Sequence, residues 1–402
     1  MEYAFGKIIK GDRVIWTVLL LLSLLSLLII YSSTGALAYR VAGGATWHYL
    51  IRQGVFLSIG FVIILLMVHV IPVKLYSIIS QVMVYISIGL LMLAFFLNIT
   101  GQMGDTSGRT LDLRVISFQP AELAKIALIM FVARILSKNQ KSKEELKKAF
   151  YKIIVYTILI CGIIFFSDFS TAALLFATIM SMMMVGRIHW KYLVLIIGTG
   201  LALIVLIYFT ADLLPARFSR IGTIKGRLEK YINGDPNSEK GITQADYAEL
   251  AVYNGGLLGK GPGQSDVSNY MASAYSDFIF AIIVEEYGLI VAGLIILLYM
   301  IFFYRGVVII LRTTRTFPAF LVAGLTMLLV FQAMINIGVS AGILPVTGQP
   351  LPWVSMGGTS MLFTSMAFGC ILSVSYQNQK NRKMKELQPV QVNTPDEDEL
   401  MK

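Results

Sequence analysis

The amino-acid sequence predicts an all-α integral membrane protein with about ten transmembrane helices, both termini in the cytoplasm and one large extracytoplasmic loop. Hydrophobic residues make up 56% of the 402 residues and charged residues only 14%, whereas about a quarter of a soluble domain is charged. The mean hydropathy is +0.74. Long apolar runs recur along almost the whole chain, so lipid is the expected solvent for most of it.

Apolar runs of roughly 17 to 25 residues are long enough to cross the hydrocarbon core as helices. In chain order they lie near residues 14–31, 54–72, 76–97, 121–137, 151–166, 171–186, 190–211, 278–304, 319–340 and 357–376. The fifth and sixth runs are short, and only residues 167–170 separate them. They could alternatively form one broken helix, which would reverse the direction of every later segment.

The distribution of Lys and Arg decides between these alternatives, because short cytoplasmic loops are enriched in both residues. With ten helices, every basic cluster falls on the side of the two termini, which is therefore predicted to be cytoplasmic. This bias explains most of the net charge of +10. No nucleic-acid partner is expected, because such a partner requires a folded basic face.

The chain divides into a membrane domain, residues 1–376, and a polar tail, residues 377–402, that is predicted to be a disordered cytoplasmic segment. The tail contains an acidic stretch at residues 396–399. The large extracytoplasmic loop, residues 212–277, has apolar residues at spacings of three and four over residues 218–232, a pattern typical of a helix on the membrane surface. Alternatively, this helix forms a wall of a site for an anionic lipid head group.

Charged side chains at membrane depth are costly and therefore mark candidate functional positions. At the start of the fourth run, Glu122 and Lys125 are spaced three residues apart, on one face of a helix that begins near Pro120. Two interpretations remain open. The two residues form a structural ion pair, or Lys125 binds a diphosphate and Glu122 orients it.

The eighth run begins at Asp277 and contains Glu285 and Glu286. The two glutamates lie roughly 12 to 13 Å deeper than Asp277 at 1.5 Å per residue, and Glu286 points away from it. Glu286 and Asp277 therefore cannot share one proton-transfer role. Asp277 is either the N-cap of this helix or a general base at the water-facing end of a lipid-lined cleft.

Common signatures of soluble enzymes are missing, since the sequence has no His-Glu-x-x-His and no Cys-x-x-Cys motif. Zinc hydrolysis and redox cofactors are therefore not expected. The glycine-rich stretch from Gly255 to Gly263 does not have P-loop spacing, because Lys260 is followed by Gly261 rather than by Ser or Thr. It is predicted to be a tight turn before the next helix.

Five stretches resemble, in the same order, motifs of the SEDS family of cell-wall glycan polymerases. They are Ile51-Arg52-Gln53, residues 117–125, residues 255–261, residues 276–290 and residues 344–360. The resemblance covers nearly the whole chain except the tail. Residues 261–263 and 274–277, together with Gly11-Asp12-Arg13, look more like the division branch of the family than its elongation branch.

The resemblance implies a peptidoglycan glycosyltransferase that polymerises lipid II into β-1,4 glycan, releases undecaprenyl diphosphate and faces outward from the bacterial cytoplasmic (inner) membrane. The catalytic Asp of the family falls on Asp277. Tyr275 and Ser276 stand where the family often has His-Thr, so no histidine assists this carboxylate. The residues implied to contact substrate are Arg52, Arg109, Glu122, Lys125, Gln244, Ser355, Gly357 and Gly358.

The resemblance also implies partners, namely a class B penicillin-binding protein transpeptidase and other division proteins. It implies no certain cofactor, although a divalent cation, Mg²⁺ or Mn²⁺, could assist the departing diphosphate, and its ligands are unknown. The alternatives are a flippase for the lipid-linked precursor, an elongation-type polymerase, and a non-catalytic scaffold in which Asp277 is only a helix cap.

Overall fold

A computed structural model describes residues 9–35, 46–100, 110–112, 117–210, 243–271 and 274–387. Within these ranges the chain forms ten long helices, one shorter helix and one two-stranded antiparallel hairpin. In chain order the elements are α1 (Arg13–Ser33), α2 (Thr46–His69), α3 (Val73–Ile99), β1 (Leu111–Asp112), β2 (Ser117–Phe118), α4 (Pro120–Lys138), α5 (Lys143–Ser167), α6 (Phe169–Val185), α7 (Trp190–Thr210), α8 (Gln244–Gly255), α9 (Ile279–Arg312), α10 (Thr316–Ser340) and α11 (Gly358–Leu387).

A helix occupies each of the ten predicted spans, and the prediction of an all-α integral membrane protein is confirmed. Seven of the described helices are long and apolar enough to cross a membrane by length and composition. α6 and the described apolar part of α7 are shorter, and α4 carries charged residues along its length. The hairpin before α4 was not predicted, because two-residue strands leave no periodic pattern.

α5 and α6 are separate helices that pack against each other, so the alternative of one broken helix is wrong. Asp168 lies between them with extended backbone, and its carboxylate accepts a hydrogen bond from the Thr171 N–H at 3.1 Å. This bond caps the start of α6. Ten spans therefore return the chain to the side on which it began.

The last helix continues to Leu387, so residues 377–387 of the predicted disordered tail are helical; the division between membrane domain and tail at residue 376 stays a prediction. Residues 377–387 contain helix-forming side chains and no Gly or Pro. Gln379 donates to the Gly11 carbonyl at 2.8 Å, which ties this extension to the start of the chain. The rest of the tail, with its acidic stretch, and the amphipathic stretch at 218–232 lie outside the described residues.

α9 is interrupted at Gly288, whose φ of 78° and ψ of 175° are not helical. The break leaves the carbonyls of Glu285 and Glu286 without partners inside the helix. They accept hydrogen bonds from the Lys260 and Gly261 N–H groups, each at 2.9 Å. The glycine-rich stretch is thus a turn, as predicted, and it also replaces the missing helical hydrogen bonds.

Only glycine allows this stretch to approach the broken helix so closely. A Cβ on Gly255 would lie 2.0 Å from the Val284 carbonyl oxygen, and a Cβ on Gly259 would lie 2.3 Å from that of Glu286. Real side chains do not tolerate such distances. We refer to residues 255–261 as the sealing loop.

Candidate active site

Asp277 lies immediately before α9, where it is half-buried. The N-cap position of α9 is Phe278, and no side chain caps this helix end. The interpretation of Asp277 as the N-cap is therefore wrong. Its Oδ1 accepts a hydrogen bond from the Ser276 hydroxyl at 2.9 Å, and its backbone carbonyl accepts one from Asn336 Nδ2 at 2.8 Å.

Residues 345–357, which we call the re-entrant segment, lie against the chain around Asp277. Asn336 on α10 donates from the same Nδ2 to the Gln349 carbonyl at 2.8 Å, so one amide connects the segment to the aspartate. The predicted residue Ser355 donates to the Ser276 carbonyl at 2.7 Å. Ser355 thus positions the backbone next to Asp277.

The side of the carboxylate that faces the re-entrant segment is lined by a glycine. Gly348 has a φ of 69°, and a Cβ built on it would lie 3.5 Å from Asp277 Oδ2. A φ in this region favours glycine. Gly348 therefore brings the backbone of the re-entrant segment close to the Asp277 carboxylate.

The re-entrant segment is held rigidly by buried polar contacts to several helices. Trp353, which is 2% exposed and has a φ of 68°, lies at its centre. The contacts are Trp353 Nε1 to Ser23 Oγ at 2.8 Å, Ser26 Oγ to the Val354 carbonyl at 2.8 Å, Gln332 Nε2 to the Pro350 carbonyl at 3.0 Å and Gln349 Nε2 to Thr171 Oγ1 at 2.8 Å. Helices α1, α6 and α10 thus fix the segment from three sides.

Arg52 and Asp277 both interact electrostatically with the phenol of Tyr275. Burial raises the pKa of the Tyr275 phenol; Tyr49 and the Asp277 carboxylate raise it further, and the Arg52 guanidinium opposes the rise. Tyr275 is therefore a neutral hydrogen-bond donor at physiological pH. The predicted cation and the predicted base both act on this one phenol, and α2 presents Arg52 as an exposed side chain.

Glu122 and Lys125 form a buried ion pair in the first turns of α4, with Lys125 Nζ 2.8 Å from Glu122 Oε1. The contact between the two residues is present, and it is compatible with both interpretations. Burial of two charges is costly unless they are paired, so the contact between them offsets part of this cost. A role of Lys125 toward a diphosphate remains a prediction.

The remaining predicted residues lie at the borders of the site. Gln244 is the first residue of α8, where Thr243 and Asp246 form a capping box. Gly357 and Gly358 lie at the start of α11, and Gly358 has a φ of 27°. Arg109 lies outside the described residues.

The two glutamates of α9 have other partners than Asp277. Glu285 is fully buried and accepts hydrogen bonds from Lys260 Nζ and the Asp266 N–H, each at 3.2 Å. Glu286 accepts one from the Ser32 hydroxyl of α1. Both glutamates thus tie α9 to neighbouring segments, consistent with the predicted separation of roles.

A resident divalent ion does not fit the described part of the site. Among the described residues, no three His, Cys, Asp or Glu side chains lie together. The groups around Asp277 are instead hydroxyls, an amide and backbone carbonyls. The described residues therefore supply one carboxylate and no cage for a metal.

Sequence reasoning missed Asn336, Gly348 and Tyr275. Asn336 had a usable signal, because Gln332, Asn336 and Ser340 are spaced four residues apart in an otherwise apolar run and share one helix face. A polar stripe at membrane depth indicates internal contacts. Gly348 had no such signal, since only the folded chain brings it against Asp277.

Comparisons with known proteins identify the family of the chain. The sequence profile of a family described as cell cycle protein, which groups FtsW, RodA and SpoVE, matches residues 12–380. The probable peptidoglycan glycosyltransferase FtsW of Coxiella burnetii is 29% identical over 371 residues, 90% of this chain and 96% of that relative. Stage V sporulation protein E of Bacillus subtilis is 31% identical over 372 residues, again 90% of this chain and 96% of the relative.

Solved structures share the fold. A chain of a peptidoglycan synthase complex, studied for the structural coordination of polymerization and crosslinking, superimposes with a TM-score of 0.71 at 20% identity and covers 92% of this chain and 98% of that chain. The rod shape determining protein RodA of Thermus thermophilus gives a TM-score of 0.63 at 19% identity, with 92% and 97% covered. The chain therefore belongs to the FtsW/RodA/SpoVE family of cell cycle proteins, the SEDS family that its motifs resemble.

Proposed function

We propose that the chain is a peptidoglycan glycosyltransferase of the division type, which polymerises lipid II into β-1,4 glycan and releases undecaprenyl diphosphate. The observation that carries the proposal is the placement of Asp277. It stands outside the capping position, and Asn336 and the re-entrant segment hold it. The naming of relatives as FtsW supports glycosyl transfer and a role in division.

In the proposed reaction, Asp277 acts as the general base. Ser276 donates to Oδ1 and orients the carboxylate, which takes the proton from the 4-hydroxyl of the acceptor sugar. The 4-oxygen of the acceptor sugar then forms a bond to the anomeric carbon of the lipid-linked donor, with inversion at this carbon. The bond from this carbon to the diphosphate oxygen breaks, and its electron pair leaves with the diphosphate.

Cations stabilise the departing diphosphate in this scheme. Arg52 interacts electrostatically with the same phenol as the base, and Lys125 is a buried cation on α4. Fixed charges in a site of low dielectric stabilise developing charge far better than solvated ones. The membrane is proposed to be the bacterial cytoplasmic membrane, with Asp277 facing outward, and the partner to be a class B transpeptidase.

The first test is glycan formation from lipid II by the purified chain with its cognate transpeptidase, comparing wild type with Asp277→Asn. General base catalysis contributes about 10² to 10⁴ in rate, so the variant should lose nearly all polymer while remaining folded. Asp266→Asn is a matched control, since it neutralises an exposed carboxylate of the same loop, and should keep its activity.

The alternatives give different outcomes in the same experiment. Polymer from both wild type and Asp277→Asn would move the base elsewhere. No polymer from either, together with transport of lipid II by the purified chain in vesicles, would favour a flippase. No polymer, no transport and normal division in cells that carry Asp277→Asn would favour a scaffold.

A further inference from the structure

A cavity with a basic lining lies at the opposite end of the helices from Asp277, on the face predicted to be cytoplasmic. Its volume is about 670 Å³, and it lies between the start of α3, the end of α4 and the start of α10. A second cavity of about 480 Å³ lies beside it, and Lys74 and Arg315 line both. We call the two cavities together the basic groove.

The groove is separated from the candidate active site by the thickness of the membrane domain. Thr316, at the groove, begins α10, and Asn336, at the active site, follows twenty residues later on the same helix. At 1.5 Å per residue this distance is about 30 Å. A ligand in the groove is therefore distinct from any substrate at Asp277.

Five cationic side chains from the ends of four helices converge on the groove: Lys74, Arg134, Lys138, Arg315 and Lys380. Within the described part of the chain, no carboxylate lines the groove or forms an ion pair with any of the five. Orientation in the membrane requires basic loops but not a shared cavity. The convergence of unpaired cations on one concave surface indicates an anionic ligand.

Arg134 is the most enclosed of these cations. It is half-buried, one turn inside Lys138, and Nη1 donates to the Ser77 carbonyl at 2.5 Å. This single bond orients the guanidinium and leaves further N–H groups for a ligand. A planar guanidinium fork matches phosphate oxygens in a bidentate manner.

Two helix starts add to the positive potential. Pro72 at the start of α3 and Arg315 at the start of α10 are N-cap residues, and neither provides a side-chain cap. The first turns of both helices therefore present N–H groups that no capping side chain satisfies. Their dipoles favour negative charge at this level of the membrane.

The rim of the groove indicates a lipid rather than a soluble anion. Ile78 lines the larger cavity and is 63% exposed, and Val82 and Ile86 continue the same exposed apolar face one and two turns deeper along α3. A phosphate in the groove would place acyl chains along this face. We propose that the basic groove binds the phosphate head group of an anionic phospholipid of the cytoplasmic leaflet.

The full-length protein is placed in nanodiscs that contain equal amounts of phosphatidylglycerol and phosphatidylcholine. The protein is then released, and native mass spectrometry counts the lipids that stay bound to it. Each basic residue near an anionic surface contributes about fivefold in affinity. The variant Arg134→Gln/Lys138→Gln should therefore retain at least about tenfold less phosphatidylglycerol. The control Lys143→Gln/Lys147→Gln removes the same charge from exposed positions on α5 outside the groove and should retain as much as wild type.

Equal losses in both double variants would show general surface attraction and would overturn the proposal. A chain ending at Leu387 tests the acidic tail as the occupant: unchanged lipid retention supports the proposal, and a severalfold increase assigns the groove to the tail. If inorganic phosphate displaces the bound phosphatidylglycerol when both are present at equal concentration, the basic groove is a site for a soluble anion. If Arg134→Gln/Lys138→Gln does not fold, Lys74→Gln/Arg315→Gln, at two exposed positions, provides the same comparison.

Discussion

At the scale of single residues, Asn336 connects two parts of the candidate site. Its Nδ2 donates to the Asp277 carbonyl and to the Gln349 carbonyl, each at 2.8 Å. These carbonyls belong to two segments that are distant in sequence. One side chain on α10 therefore fixes the distance between the candidate base and the re-entrant segment.

We expect Asn336→Leu to reduce polymerisation about 10²-fold, because a displacement of about 1 Å at a catalytic group has an effect of this size. Each carbonyl left without a partner in a buried site costs about 1–3 kcal/mol, so the melting temperature should also fall. The measurements are the initial rate of glycan formation and thermal unfolding in the same detergent.

Gln332→Leu is the matched control for this prediction. Gln332 lies one turn earlier on α10 and donates to the Pro350 carbonyl of the same re-entrant segment. Its loss should lower the melting temperature and leave most of the activity. Equal losses of activity in both variants would mean that Asn336 stabilises the segment and does not specifically position Asp277.

The buried ion pair of α4 allows the two interpretations of Lys125 to be separated. Lys125→Met leaves the Glu122 carboxylate buried without a partner, which costs about 3–5 kcal/mol. The double variant Glu122→Gln/Lys125→Met removes both charges and should recover most of the melting temperature. We expect this double variant to polymerise lipid II at least about tenfold more slowly than wild type, because it lacks a cation for the diphosphate.

The measurement is a melting curve followed by the polymerisation rate of the same preparation. A double variant that is stable and fully active would reduce Lys125 to a structural role. A double variant that does not recover stability would show that the pair also fixes other groups in the core.

At the scale of secondary-structure elements, the sequence predicts the existence of the helices better than their ends. The length of the apolar runs predicts all ten spans, but α5 begins at Lys143 rather than at residue 151. Its first two turns are polar, and Ser142 caps it by accepting from the Glu145 N–H at 3.1 Å. Hydropathy detects the membrane core, whereas caps and contacts outside the core set the ends.

The break in α9 could not be predicted from the sequence. One glycine in an apolar run is compatible with a continuous helix, and Gly293 in the same run is indeed helical. What distinguishes Gly288 is contact with the sealing loop, where Leu289 N donates to the Gly256 carbonyl at 3.0 Å. Such pairing between distant segments has no local signature.

We expect Gly288→Ala to lower the melting temperature strongly, while Gly293→Ala should leave it unchanged or raise it. The backbone of Gly288 is essentially restricted to glycine, and strain of this kind costs about 1–3 kcal/mol. In addition, a Cβ would lie 2.3 Å from the Leu257 carbonyl oxygen. A Cβ at Gly293 meets nothing within 4 Å, and alanine has the higher helix propensity.

Thermal unfolding of the two purified variants checks this prediction. Equal melting temperatures would show that the break is not a fixed feature of the fold. The same pair should also differ in polymerisation, because only Gly288 adjoins the outer part of α9.

At the scale of the whole molecule, the charge distribution predicts the orientation and a labelling experiment tests it. Tyr253 on α8 is 86% exposed on the predicted outer face, and Lys143 at the start of α5 is exposed on the opposite face. The native Cys161 and Cys370 are buried and free, so they should not react. A membrane-impermeant maleimide should label Tyr253→Cys in intact spheroplasts and Lys143→Cys only after lysis.

Labelling of Lys143→Cys in intact spheroplasts would reverse the assigned faces and would place Asp277 in the cytoplasm. The orientation stays a prediction, which rests on the Lys and Arg counts, a global property of the sequence. The sequence does not predict the convergence of Asp277, Asn336 and Gly348, because this convergence depends on helix packing.

The interruption at Gly288 also has a mechanical consequence. A continuous helix transmits force along its own hydrogen bonds, but the outer part of α9 exchanges hydrogen bonds with the sealing loop that follows α8. The sealing loop also accepts hydrogen bonds from the Leu289 and Ile290 N–H groups on the inner part of α9, so it joins both parts of the helix to α8. A displacement of α8 should therefore shift the outer part of α9 and, with it, the neighbouring Asp277.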